Sequence, residues 1–220
     1  MDEMDYAIFG EQAFSAVSNS KMYHIRRHAG RVILDVGCGP GQYIEALTAE
    51  GRIVDGVEIN TVLRSQAMRY GRTIFNYDIE KGELQKIPAG VYDTVLCLDV
   101  LEHVVNPEST LKEMARIAKR NVIISVPLAT PSEIELHGLL YSSYKDPTHL
   151  RYYTIHELKG DLANAGFKNI LIVPTYSVSV ILHRMIKSAF LQKFLVLVNR
   201  LLLRFIDKNN WSVVLAVGEK

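Results

Sequence analysis

The sequence predicts an α/β fold with a mostly parallel open sheet and helices on both of its faces. Three observations support this. Short apolar strands alternate with helix-length segments along most of the chain. The strand at 31–36 runs through the glycine-rich turn 37–41 straight into a helix. The stretch 121–126 is nearly all apolar, as expected of a strand covered on both faces.

Taken in order, 11–29 reads as a helix whose basic end, Arg26, Arg27 and His28, suits the helix C-terminal dipole. Strand 31–36, turn 37–41 and helix 42–50 follow, with Gly51 placed to close that helix. Next come strand 52–59, helix 61–70 with Asn60 as its N-cap, and strand 73–78. The fourth strand is 91–98, and Pro107 marks the first turn of helix 106–119. After strand 121–126, a long loop at 127–153 carries Pro127, Pro131 and Pro147. Helix 154–165 ends at Gly166 and leads into strand 167–173. An apolar and basic stretch fills 178–206 before a seventh strand at 211–217, and no helix follows that strand. The expected organisation is one domain over 1–220 with a helical insertion at about 178–206.

Composition narrows the function classes. A net charge of +1 offers no global field for nucleic acid or an acidic surface. Cys38 and Cys97 form neither a disulfide framework nor a metal-binding spacing, and read as reduced packing thiols. The acidic segment 1–5 does not look like a signal peptide, so the expected location is cytoplasmic.

A strand–glycine turn–helix unit suits a nucleotide-like ligand. Glycine lets the ligand approach the backbone, and the helix start offers free N–H groups. A dinucleotide fingerprint starting at Gly37 would need a glycine at 42, where Gln42 stands. The actual run is Asp35-Val36-Gly37-Cys38-Gly39-Pro40-Gly41. No lysine accompanies it, unlike a phosphate-binding loop.

This run resembles motif I of the class I S-adenosylmethionine-dependent methyltransferases, and the likeness continues downstream in the family's order. It takes in Glu58, the segment Asn76-Tyr77-Asp78-Ile79, the fourth-strand run ending Leu101-Glu102-His103, and His149 through Gly166. The match covers roughly 30–173. It implies a Rossmann-like sheet of about seven strands with an antiparallel terminal strand, and S-adenosyl-L-methionine as cofactor. It also implies that Glu58 accepts from the ribose hydroxyls and Asp78 from the adenine amine. Carried over residue by residue, the cofactor positions are Asp35, Gly37, Cys38, Gly39, Gly41, Tyr43, Glu58, Ile59, Asp78, Ile79, Leu98 and Asp99. The cofactor's sulfonium, ammonium, ribose diol and adenine amine all suit acidic acceptors. Bland readings stand beside these: Asp35 as a tie for the turn, Asp78 as a turn residue, Tyr43 as core packing.

Methyl transfer needs a base only if the acceptor must lose a proton. His103, after the fourth strand, and His149, on the long loop, are the candidate catalytic residues; His137 is a weaker one. Their alternatives are structural: a packing or capping histidine, and a hydrogen bond ordering 151–154. The histidines lack metal spacing, so no metal is expected. The stretch 178–206 has no acidic residue and no apolar run long enough to span a bilayer. It reads as two helices with a break near 188–192. Core packing, a lid on the acceptor side, a homodimer contact and a membrane-surface helix all remain open for it.

The reading is methyl transfer to oxygen or carbon of a small-molecule, lipid, quinone or glycan acceptor, with no nucleic acid as partner. A cofactor-binding module without catalysis is the alternative, and a nicotinamide-dependent oxidoreductase is a more distant one.

Overall fold

A computed structural model describes residues 17–129, 146–177 and 211–220. The insertion expected at 178–206 and His137 lie outside the described residues.

Helix α1, Asn19–His28, starts where the Ser18 side chain accepts from the Lys21 N–H. That cap sets its first turn later than the expected 11–29, of which 11–16 lie outside the described residues. Strand β1 (Val32–Val36) leads through the glycine turn into α2 (Gln42–Ala49), and β2 (Ile53–Val57) follows. Asn60 caps α3, Thr61–Ala67, by accepting from the Val62 and Leu63 N–H groups. The expected third strand shrinks to β3, Ile74–Phe75, an edge strand paired only to Gly56 and Val57. Two 3₁₀ turns, Glu83–Lys86 and Leu101–His103, flank β4 (Tyr92–Leu98). Helix α4, Pro107–Ile117, is capped by Asn106 and passes directly into β5, Ala118–Pro127. Thr154 and Glu157 form a reciprocal capping box on α5, Ile155–Asn164. Strands β6 (Lys168–Ser177) and β7 (Trp211–Glu219) complete the sheet.

The sheet order is β3-β2-β1-β4-β5-β7-β6. Strands β1 to β5 pair in parallel, and β7 runs antiparallel to both of its neighbours. The antiparallel strand is therefore the last in sequence but lies inside the sheet. Its long pairing with β5, from Asn121↔Glu219 to Pro127↔Val213, accounts for strands that outrun the lengths expected from sequence.

Side chains alternate across the sheet into two cores. On one face Ile33, Leu96, Ile123 and Leu215 pack with Met22 and Ile25 of α1 and Ile44 and Leu47 of α2. On the other, Leu34, Val95, Val122 and Ala216 pack with Leu111 and Met114 of α4 and Leu158 and Leu162 of α5. Each fully buried Leu or Ile contributes roughly 1.5–3 kcal/mol. From β1 the chain moves outward through β2 to β3, then returns to β4 on β1's other side. The order thus reverses between β1 and β4, and the crevice outside their carboxyl ends is where open α/β sheets bind ligands.

Candidate functional site

Both neighbours hold β1 level at its carboxyl end, with Val36 opposite Val57 of β2 and Cys97 of β4. The glycine turn is fastened to β2 by the Gly37 and Cys38 N–H groups, which both donate to the Val57 carbonyl, at 2.8 and 3.0 Å. A β-carbon on Gly37 would sit 2.4 Å from a Val100 methyl, so a larger residue would force the turn away from the end of β4. Gly39 differs. Its φ is +55°, and an added β-carbon would meet only the Gln42 Oε1, at 3.9 Å. The backbone there faces open space that a side chain would fill, as a cradle for a ligand requires. That Gln42 oxygen is itself buried and has no hydrogen-bond partner among the described residues. Gly41 faces α3, where a β-carbon would lie 2.8 Å from the Ala67 Cα, so the missing side chain lets the turn pack against that helix.

Glu58, just past β2, is buried and holds the turn from the other side. Its two carboxylate oxygens accept from the Gly39 N–H at 2.9 Å and the Asn60 N–H at 2.8 Å. Each oxygen keeps a further lone pair, which suits a vicinal diol. Burial, reinforced by Glu58, pushes the Asp35 carboxyl up to about 7. Burial also raises Glu58, although the Asn60 and Gly39 N–H groups oppose the shift. Two buried carboxylates side by side favour a cationic ligand.

The remaining expected cofactor positions divide. Cys38 is buried, and desolvation drives its thiol far up, as it does for Cys97, so neither is a nucleophile. Tyr43 is buried, and its hydroxyl accepts from the Ser18 N–H at 3.2 Å, tying α2 to the start of α1. Ile59 is exposed and Leu98 buried, at the ends of β2 and β4. Asp78 and Ile79 lie beyond the end of β3, not at it as expected. Asp78 accepts from the Glu80 N–H at 3.0 Å and pairs with Lys81 at 3.0 Å.

Asp99 follows β4 with a φ of +55°, rare for a side chain other than glycine. One of its oxygens accepts from the Ser125 hydroxyl at 2.9 Å, and the other pairs with Lys21 of α1. Beyond it, the 3₁₀ turn presents Glu102 and His103. The segment 148–151 is clamped onto this turn. The Leu150 N–H donates to the Glu102 carbonyl at 2.9 Å, and the Arg151 guanidinium donates to the Val104 and Val105 carbonyls. His149 is thereby brought against His103, with ring centroids 4.8 Å apart. Its Nε2 is 3.4 Å from Asp146 and 3.9 Å from Glu102. His103 Nδ1 lies 3.1 Å from the Thr148 carbonyl. Burial, helped by the neighbouring His149, lowers the His103 pKa, so the ring is neutral near pH 7. Glu102 is almost wholly buried, and burial together with Asp99 raises its carboxyl. The Oε2 of Glu102 and the Nδ1 of His149 are both buried without a hydrogen-bond partner among the described residues.

The two catalytic candidates, 46 positions apart in sequence, are therefore in contact. Ligand-capable atoms of Glu102, His103 and His149 all lie within 4.8 Å of one another. The expectation of no metal rested on spacing along the chain, which does not describe how the fold assembles these side chains. Lys21, Glu102, Ser125, Asp146 and Arg151 were not among the expected site residues. The one available signal was Lys21 itself, a lysine one residue ahead of Met22 and four ahead of Ile25 in an otherwise apolar stripe.

A glycine cradle and two buried acids, Asp35 and Glu58, stand together at the β1/β4 switch point, the arrangement that the sequence led one to expect of a class I, S-adenosylmethionine-dependent methyltransferase. The chain belongs to the methyltransferase-domain family, whose profile matches residues 12–172. Its curated relatives include the ubiquinone biosynthesis O-methyltransferase of Dechloromonas aromatica, 35% identical over 95 residues, 41% of each chain. The enzyme of the same name from Photobacterium profundum is 34% identical over 110 residues, 46% of each. The matches thus span less than half the length of these relatives. Among solved structures, a SAM-dependent methyltransferase from Archaeoglobus fulgidus aligns with a TM-score of 0.69 at 20% identity, covering 98% of this chain and all of that one. A possible histamine N-methyltransferase from Thermotoga maritima aligns at 0.68 and 16%, covering 99% of each chain. At such identities these structures speak to the fold alone.

Proposed function

We propose that the chain transfers a methyl group from S-adenosylmethionine to a hydroxyl oxygen of a small-molecule acceptor, with a carbon acceptor as the lesser reading. The observation that carries this is the position of the His103–His149 pair. It follows β4 directly, beside the β1/β4 crevice whose other wall is the glycine cradle. Asp35, Gly39 and Glu58 fit a cationic ligand that carries a ribose diol. Asp78 and Ile79 lie on the side expected to hold its adenine.

The cofactor supplies an activated methyl group, and the chain's own task is alignment and proton handling. His103 is neutral, so a ring nitrogen is available to take the acceptor's proton. Thr148 fixes the ring through Nδ1, which leaves Nε2 for that work. His149, held by the Arg151 clamp, buttresses His103. The names of the relatives support oxygen over carbon. A quinol, lipid or glycan hydroxyl fits the same chemistry, and a cytoplasmic location fits too. Among the described residues no helix is long and apolar enough to cross a membrane.

The direct test is incubation with S-adenosylmethionine and a panel of phenolic and sugar hydroxyl acceptors, with S-adenosylhomocysteine as the readout. Acceptor-dependent product supports transfer. Cofactor binding with no product from any acceptor would favour a non-catalytic binding module.

A further inference from the structure

Helix α1 reaches both sides of the crevice. At its start, the Ser18 N–H donates to the Tyr43 hydroxyl on α2, at 3.2 Å. One turn on, the Lys21 ammonium pairs with Asp99 at the end of β4. Lys21 is 3% exposed, an unusual depth for a lysine, whereas the Asp99 side chain is 49% exposed. The lysine has therefore been carried into the protein to meet a carboxylate that could have been solvated where it stands.

What the pairing holds is a specific backbone state. Asp99 has a φ of +55°, a conformation that persists only when its surroundings enforce it. Three contacts do so: the Asp99 N–H donates to the Ser125 carbonyl at 3.0 Å, the Ser125 hydroxyl donates to one carboxylate oxygen at 2.9 Å, and Lys21 takes the other. The two from β5 belong to the sheet. Among the described residues, Lys21 alone reaches Asp99 from a separate element. The residue after Asp99 is Val100, whose methyl lies against Gly37, and two further on stands Glu102. A change at Asp99 would thus be felt at the glycine cradle and at the histidine cluster alike.

We propose that Lys21 is a positioning residue of the methyl-donor site. Through Asp99 it locks the turn after β4 in its left-handed state and holds α1 down across the crevice. This rests on the cofactor reading given above. It assigns Lys21 no contact with the reacting atoms.

The test uses the full chain and four variants, Lys21→Met, Lys21→Arg, Asp99→Asn and Lys21→Met/Asp99→Asn, titrated calorimetrically with S-adenosylmethionine. Methionine keeps the buried stem, and Asp99 is exposed enough to be solvated when unpaired, so the fold should survive; circular dichroism checks this. Lys21→Met should raise the Kd about tenfold or more, the scale on which misplaced site groups cost function. Arginine should recover much of the loss, and the double variant should bind no more weakly than Asp99→Asn alone. An unchanged Kd in Lys21→Met, or losses that add in the double variant, would overturn the proposal. If Lys21→Met does not fold, Lys21→Arg and Asp99→Asn decide it: near-wild-type binding in Asp99→Asn would overturn it. Failure of the wild-type chain to bind S-adenosylmethionine would instead defeat the cofactor reading itself.

Discussion

Asp35 concentrates the site's electrostatics in one residue. Its folded pKa of about 7 stands well above the ~3.9 of an unfolded aspartate. The unfolded chain therefore releases this proton first as pH rises. Stability linked to Asp35 is intact below about pH 4 and falls progressively up to about pH 7. Glu58, also raised, adds to the same trend. A cationic cofactor reverses the preference, since it stabilises the ionised carboxylate. Cofactor affinity should accordingly rise with pH through about 7, and Asp35→Asn should flatten both that rise and the fall in melting temperature of the free chain. Calorimetry and thermal melts from pH 5 to 8 check this; a pH dependence unchanged in Asp35→Asn would remove Asp35 from the account. His103 sets a second pH dependence. With its pKa lowered, the acid limb of the rate profile should lie below the ~6.5 of free imidazole. His103→Gln should cost about 10²- to 10⁴-fold in rate with little change in cofactor affinity.

At the scale of elements, sequence revealed what local chemistry fixes. Asn60, Pro107 and Thr154 start helices because caps are decided by neighbours along the chain. The Thr154–Glu157 box makes this measurable: Thr154→Ala should destabilise the chain by about 1 kcal/mol in denaturant titration, and no measurable loss would mean the box is idle. Strand lengths were less legible. Strand β3 is cut to two residues, paired to Gly56 and Val57 of β2, while β5 extends back to Ala118, which pairs with Tyr92 of β4. Such limits come from partners remote in sequence. The same holds within the site. Asp35, the glycines and Glu58 sit on one strand–turn–helix–strand unit, so their proximity is legible from spacing. Lys21 meeting Asp99, and Arg151 folding His149 onto the 3₁₀ turn, are tertiary events that no spacing reports.

Over the whole molecule, the reversal of strand order between β1 and β4 unites these parts. It places a cradle built from β1, α2 and the end of β2 against the Glu102–His103–His149 cluster that follows β4, with α1 fastened to both. The antiparallel β7, set between β5 and β6, separates this architecture from a fully parallel dinucleotide-binding sheet. The cradle's glycine spacing separates it again. Both distinctions bear on one question, which ligand the crevice takes, and a single comparison answers it: calorimetric titration of the full chain with S-adenosylmethionine and with NAD. One saturable site is expected for S-adenosylmethionine, weakened by about 2–4 kcal/mol in Glu58→Ala and lost in Gly39→Val, with no heat from NAD. Tighter binding of NAD, or S-adenosylmethionine affinity that survives Gly39→Val unchanged, would contradict it.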